Sequence, residues 1–196
     1  MPELPEVETV ARQLAPLVQG LTIRSFSLVD DRLTCGGLDR LVGRRIEDVF
    51  RMGKQVVLRL GAGPDKIWLC VHLRMTGRLV YADSSRPPEH RHLRALFTLD
   101  RGTLAFHDPR RFGTFRVVRR LGETRPAGLE PLSPRFTASI LGELLGESRQ
   151  PLKTWLLRQD RLVGLGNIYA SEILFSARLH PLRPAGSLTE PEIRRL

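Results

Sequence analysis

The sequence opens Met1-Pro2-Glu3-Leu4-Pro5-Glu6, and a proline in second place has a chemical use. Met1 is expected to be removed before so small a residue, leaving Pro2 as a terminal secondary amine. An α-amine has a pKa of about 8, so a usable fraction is unprotonated at neutral pH. A secondary amine attacking an aldehyde-level sugar carbon gives a charged iminium without a further proton loss, which is covalent catalysis through a Schiff base. Glu3 and Glu6 are placed to serve as acid or base beside that amine. The same residues also suit a plain helix start, because proline is favoured early in helices and glutamate opposes the helix dipole in the first turn.

Other segments carry further candidate residues. Met52-Gly53-Lys54-Gln55 sets a lysine just before a strand-like run; a solvent-facing turn lysine is the ordinary alternative. His72-Leu73-Arg74-Met75-Thr76-Gly77 and Phe106-His107-Asp108-Pro109-Arg110-Arg111-Phe112-Gly113 form a pair. If the partner were duplex DNA, base chemistry would require the nucleotide to be extruded and the gap to be filled. An apolar wedge, an aromatic wedge and a donor-rich side chain suit that task. Met and Phe are more often core residues, but the DPRRFG turn sets Phe112 among polar and turn residues. Finally, Lys153 to Phe175 reads as a helix, a glycine turn and a second helix capped by Asn167. Exposed amides at that helix start can bind a phosphate.

The elements that must position these residues follow from periodicity. From Glu6 to Val18 the apolar residues Val7, Val10, Leu14, Leu17 and Val18 fall on one helical face, and Gly20 ends the helix. Strand-like runs start at Leu21, Arg45, Gln55, Lys66, Leu93, Thr103 and Thr114. GAGPD (Gly61 to Asp65) and DRG (Asp100 to Gly102) read as hairpin turns. One helix followed by many antiparallel-looking strands predicts a β-sandwich or barrel. Residues 122–134 hold Pro126, Pro131 and Pro134 and read as a linker. Beyond it the period is helical at Ile140 to Leu145, Leu152 to Leu162 and Ile168 to Phe175. The expected class is α+β: a β-sandwich with one leading helix over residues 1–121, then a helical domain over residues 135–196.

Composition bounds the partner. Lys and Arg number 31 against 21 Asp and Glu, a net charge of +10 and a pI near 11.0. Such a balance suits a polyanion, nucleic acid or an anionic membrane surface, or reflects a simple preference for Arg. A membrane-surface role lacks its basic amphipathic helix with exposed aromatics. No apolar run approaches the roughly 20 residues of a membrane span, and the acidic N-terminus is not a targeting segment. Cys35 and Cys70 show no metal spacing and fit a reducing cytosol.

On the motifs MPELPEVETV, MGKQ, the HLRMTG and FHDPRRFG pair, and GLGNIYASE, the chain resembles the formamidopyrimidine-DNA glycosylase family, which also includes endonuclease VIII. The resemblance runs from Met1 to about Leu182. It implies that Pro2 is the nucleophile and that Glu3 protonates the sugar as its ring opens. It implies that Lys54 contacts phosphate near the lesion and assists catalysis. Met75 would fill the gap, Arg110 face the orphaned base, Phe112 wedge beside it and Arg111 hold backbone phosphate. His90, in the EHRH segment of residues 89–92, would touch phosphate, unless it and His92 simply start the next strand. The second half would be a helix–two-turn–helix element in which Gly164, Gly166 and Asn167 bind DNA backbone, with Lys153 close to the lesion. Glu6 and Glu172 would be supporting residues. Two positions depart from the family pattern: Arg74 stands where glycine is usual and Arg158 where Asp is common.

The implied function is a bifunctional glycosylase and abasic-site lyase of base-excision repair, removing 8-oxoguanine and formamidopyrimidines with β- then δ-elimination. Its partner would be double-stranded DNA with a damaged base, its state a monomer, its place the bacterial cytoplasm. An endonuclease VIII-like preference for oxidised pyrimidines is disfavoured by Met75, Arg110 and Phe112. A non-catalytic DNA-binding fragment is the alternative from another class; the charge and helical element would serve it, whereas binding needs no terminal secondary amine. Family members usually continue into a four-cysteine zinc finger. No Cys follows Cys70, so the expectation is no zinc finger, no metal and no other cofactor in this chain. Thr189-Glu190-Pro191-Glu192 resembles a capping-box helix start about one turn before Leu196. The chain is therefore expected to be truncated, to keep most of the fold, and to bind DNA poorly as salt rises.

Overall fold

The computed structural model describes residues 1–30, 33, 37–84 and 89–196; Cys35 lies outside them. It divides into two compact units, Met1–Arg125 and Pro126–Leu196. That division falls within the proline-bearing stretch 122–134.

The first unit begins with α1 (Leu4–Val18), two residues earlier than the apolar spacing alone predicts. The earlier start comes from a reciprocal capping box between Glu3 and Glu6, which satisfies amides the first turn would otherwise leave bare. Leu4, Val7, Ala11, Leu14 and Val18 are buried along one face, at the spacing a helix needs to cover a sheet.

Among the described residues, eight strands follow. They are β1 (Ile23–Leu28), β2 (Ile46–Met52), β3 (Gln55–Leu60), β4 (Ile67–His72), β5 (Arg78–Ala82), β6 (Leu93–Leu99), β7 (Thr103–His107) and β8 (Thr114–Val118). The helix packs on β2, β3 and β5. All pairings are antiparallel, in sheets ordered β1-β6-β7-β5 and β2-β3-β4-β8. Seven of these arise at the strand-like runs; β5 does not. Its RLVYA alternates exposed Arg78, buried Leu79 and exposed Val80, but five residues are too short to stand out beside a turn. Alternation is clear in β6, where Leu93, Ala95, Phe97 and Leu99 turn inward. Phe97 and Phe106 from one sheet meet Phe115 from the other edge-on, with ring centroids 5.9 and 5.0 Å apart, a favoured aromatic geometry. The two layers thus form a sandwich with one apolar core.

The second unit contains α2 (Ala138–Leu145), α3 (Leu152–Leu156), α4 (Asn167–Ala177) and α5 (Glu190–Arg195). Thr137 caps α2, its hydroxyl accepting from the Ile140 amide at 3.3 Å. The helix expected over Leu152 to Leu162 ends at Leu156. Leu162 still fills the core, from a loop, beside Trp155, Leu156 and Leu174, so helical spacing of leucines persists without the helix. The capping box of Thr189 and Glu192 forms at α5, where Arg183 grips Glu192 through both terminal nitrogens at 2.5 and 2.9 Å. Among the described residues, no helix is long and apolar enough to cross a membrane.

Candidate active site and nucleic-acid interface

Pro2 lies immediately before the capped first turn of α1, so its backbone is fixed by a helix that is itself clamped to the sandwich. Pro2 and Glu6 line one end of a groove of about 410 Å³ that continues past Leu73, Gly77 and Arg78 to Tyr81. Glu3 is only 1% exposed, and its amide donates to Glu6 Oε2 at 2.9 Å. A buried carboxylate so placed adjoins the groove's end and the proline.

Lys54 sits in the two-residue turn joining β2 to β3, where Met52 faces Gln55. Gly53, at φ 60, occupies the first central position while Lys54 keeps a negative φ, the pattern of a type II′ hairpin. Burial pushes the Lys54 ammonium below its usual pKa, and the Glu3 carboxylate pulls it back up. That influence brings Glu3 and Lys54 into one electrostatic neighbourhood. His72, at the end of β4, opposes Gln55 across the same sheet. Burial, then Arg74, then Lys54 push its pKa down to about 4, so it is neutral at pH 7. Its Nδ1 accepts the Arg74 amide at 3.0 Å, which leaves the proton on Nε2.

Two loops rise from the sandwich beside this corner. Met75 is 39% and Phe112 50% exposed, which excludes the core role their residue types usually have. The Arg110 guanidinium stacks on the Phe112 ring, 4.8 Å from its centroid. Arg111 Nε pairs with the nearly buried Asp30 at 2.9 Å, and Arg94 reaches the same carboxylate oxygen at 3.4 Å. Both Arg74 and Arg111 adopt positive φ, 54 and 60. His90 is exposed in the turn before β6, its carbonyl accepting from Leu93 N at 3.2 Å. His90 therefore lies outside the strand.

In the second unit Gly164, Gly166 and Asn167 lie on the loop into α4. Asn167 is the first helical residue, not the cap; the cap is Gly166, in extended backbone with φ −129. The Asn167 side chain is exposed. The loop is shaped by Gln159, whose Nε2 donates to the carbonyls of Leu157 and Leu165 at 3.0 and 2.8 Å while its Oε1 accepts from Gly164 N at 2.9 Å. Gly164 takes φ 90. Lys153 lies in the first turn of α3, half-buried, and Glu172 is exposed on α4.

Residues 1–115 match the model of the formamidopyrimidine-DNA glycosylase N-terminal domain, and residues 127–196 match that of the H2TH domain of the same enzyme. The chain belongs to the formamidopyrimidine-DNA glycosylase family. It is 44% identical over its whole length to the formamidopyrimidine-DNA glycosylase of Symbiobacterium thermophilum, spanning 66% of that protein. The crystal structure of the MutM (Fpg) protein of Thermus thermophilus matches 99% of the chain at 45% identity and a TM-score of 0.86, with 71% of that protein covered. The wild-type Lactococcus lactis Fpg, solved with DNA containing N7-benzyl-Fapy-dG, matches 99% of the chain at 32% identity and a TM-score of 0.87, with 74% covered.

Within the family pattern, the two departures are accommodated differently. Arg74 occupies the left-handed backbone that makes glycine usual there. Arg158 makes its own carboxylate pair with Asp160 at 2.5 and 3.0 Å and also donates to Gln150 at 3.2 Å. The residues present do not fit a four-cysteine zinc site, since no Cys follows Cys70. Among the described residues, no group of three or more His, Cys, Asp or Glu is arranged to hold a metal. Sequence pattern does not single out His72 or Gln159. A histidine closing a strand beside a turn lysine is a signal for the first; nothing local marks the second.

Proposed function

We propose that this chain is a bifunctional DNA glycosylase and abasic-site lyase of base-excision repair that takes oxidised purines from double-stranded DNA. The observation that carries this reading is the corner where Pro2, buried Glu3 and half-buried Lys54 gather beside two loops that expose Met75, Arg110 and Phe112. Family membership supports it, and the Lactococcus lactis relatives were solved with DNA carrying Fapy-dG or an abasic site.

In this mechanism the Pro2 amine, freed of Met1, attacks C1′ of the extruded nucleotide. The bond from C1′ to the base breaks; the base leaves with the electron pair and takes up the proton that the amine nitrogen sheds. Glu3 gives a proton to the ring oxygen as the sugar opens, and the amine nitrogen becomes an iminium. That cation acidifies C2′, so loss of a proton there expels the 3′ phosphate. A second elimination expels the 5′ phosphate. Lys54 faces the phosphate beside the lesion; its position beside Glu3 keeps a cation where strand charge must be met. Neutral His72 can donate from Nε2 to the same anionic strand. Met75 and Phe112 fill the vacated stack while Arg110 donates to the unpaired base. In the second unit the loop of Gly164, Gly166 and Asn167 at the start of α4 binds DNA backbone, the Gly164 amide being held by Gln159, with Lys153 close to the lesion, Arg111 on backbone phosphate, and Glu6 and Glu172 as supporting residues. The β-sandwich supplies the chemistry and the helical unit the grip. The setting is the bacterial cytoplasm, with the protein acting as a monomer and needing no cofactor for these steps.

Borohydride reduction tests the reading. With an 8-oxoguanine duplex, a covalent adduct that disappears in Pro2→Gly is expected. No adduct on that duplex or on a preformed abasic site would leave a DNA-binding form without catalysis.

A further inference from the structure

Asp108 is fully buried, an expensive position for a carboxylate unless donors surround it. The donors come from two loops. Thr76 Oγ1 donates to Oδ1 at 2.5 Å, and the Arg110 amide donates to the same oxygen at 3.2 Å. The Gly113 amide donates to Oδ2 at 2.8 Å, and the Phe112 amide adds a further bond. Thr76 also accepts from Arg110 N at 3.4 Å. The backbone of Asp108 is fixed in turn: Arg94 Nε donates to its carbonyl at 2.8 Å and its amide donates to His92 O at 2.9 Å. Under both loops lies one ring. A Cβ on Gly77 would come within 2.9 Å of Phe106 Cζ, and one on Gly113 within 2.3 Å. The loop bearing Met75 and the loop bearing Arg110 and Phe112 therefore land on the same aromatic floor and share the same carboxylate.

We propose that Asp108 is a positioning residue that locks these two loops into one body, so that Met75, Arg110 and Phe112 enter a vacated base stack in fixed mutual register. Thr76 neighbours Met75 and Gly113 neighbours Phe112, so each wedge is one residue from an anchor. A wedge set ordered before DNA arrives loses less conformational freedom on insertion than two independent loops would. The inference rests on the reading of Met75, Arg110 and Phe112 as the gap-filling set.

The test is equilibrium binding of the chain to duplexes carrying a tetrahydrofuran abasic analogue opposite each of the four bases, against an undamaged duplex, at low salt where backbone contacts hold. Asp108→Asn is expected to lower the preference for the abasic duplex about ten-fold, the worth of one charge-assisted hydrogen bond. It is also expected to flatten the spread among opposite bases as Arg110→Ala does, with affinity for undamaged duplex unchanged. Thr76→Val is expected to do the same in part and Thr76→Ser to restore it. The Thr76→Val, Asp108→Asn double variant should be no worse than Asp108→Asn alone. If Asp108→Asn fails to fold, the Thr76→Val and Thr76→Ser pair decides the matter. Should Arg110→Ala and Phe112→Ala reduce the preference while Asp108→Asn and Thr76→Val leave it intact, the inference fails and the gap-filling reading stands. Should Arg110→Ala and Phe112→Ala change nothing, that reading fails and the inference falls with it.

Discussion

Arg51 of β2 donates from Nε to Glu8 of α1 at 2.7 Å, with the arginine side chain only 4% exposed. Its Nη1 also donates to the Gly53 carbonyl at 3.0 Å, so one guanidinium ties the helix that carries Pro2 to the hairpin that carries Lys54. Burial works to raise the Glu8 pKa, but hydrogen bonds from Arg12 and Arg51 hold it below the usual 4.5. A lowered carboxylate contributes stability above its unfolded pKa and loses it as pH falls through the folded value. Glu8→Gln should therefore lower unfolding free energy at pH 7 by about 2 kcal/mol, and the difference from the parent should shrink in urea titrations below pH 4.5. An unchanged difference at both pH values would remove Glu8 from this role.

His72 is uncharged in the folded chain at pH 7. Its folded pKa lies at about 4 against 6.5 unfolded, so between those values the unfolded chain takes a proton that the folded one refuses. Stability should fall as pH drops from 6.5 to 4 and level off below. His72→Gln should flatten that stretch of the curve. NMR titration of the imidazole should show the neutral ring down to near pH 4; a midpoint at 6.5 would contradict the burial of this corner.

Arg74 offers a substitution that ought to improve the protein. At φ 54 a side chain is strained by roughly 1 kcal/mol relative to glycine. Arg74→Gly should raise the denaturant midpoint accordingly. It should also raise the His72 pKa, because the Arg74 charge is one of the forces depressing it. A lower midpoint would mean that the arginine makes contacts worth more than its strain.

Gln159 makes three bonds to the loop before α4. Gln159→Ala should speed hydrogen exchange at the Gly164 amide and weaken binding to any duplex, lesion-bearing or not, since phosphate contacts carry no sequence information. A selective loss for damaged DNA alone would place the loop's role elsewhere.

The course of the chain is legible largely in period. Apolar spacing in α1 and alternation in β6 announce their elements because both bury one face against the same core. The family motifs mark Pro2, Lys54, Met75, Arg110 and Phe112; Met75, Arg110 and Phe112 are exposed, and Lys54 is half-buried in the field of Glu3. What escapes depends on contacts far apart in the chain. β5 is defined by its pairing with β7, and the stretch beyond α3 by a glutamine amide that substitutes for helical bonds. The ion pair of Arg111 with Asp30 leaves no local mark, because the two residues lie far apart in the sequence. Gly166 takes the capping position from Asn167 because the extended backbone there, not side-chain preference, decides where the helix begins.

Glu3 begins a helix and stands beside the proposed nucleophile, so one carboxylate answers to two masters. On the proposed chemistry, an alanine there would loosen the first turn and remove the proton donor together, and a dead variant would teach nothing about which mattered. Glutamine keeps an oxygen for the waiting amide of Glu6 while surrendering the acid. On the proposed chemistry, the architecture and the reactivity of the opening hexapeptide rest on one side chain.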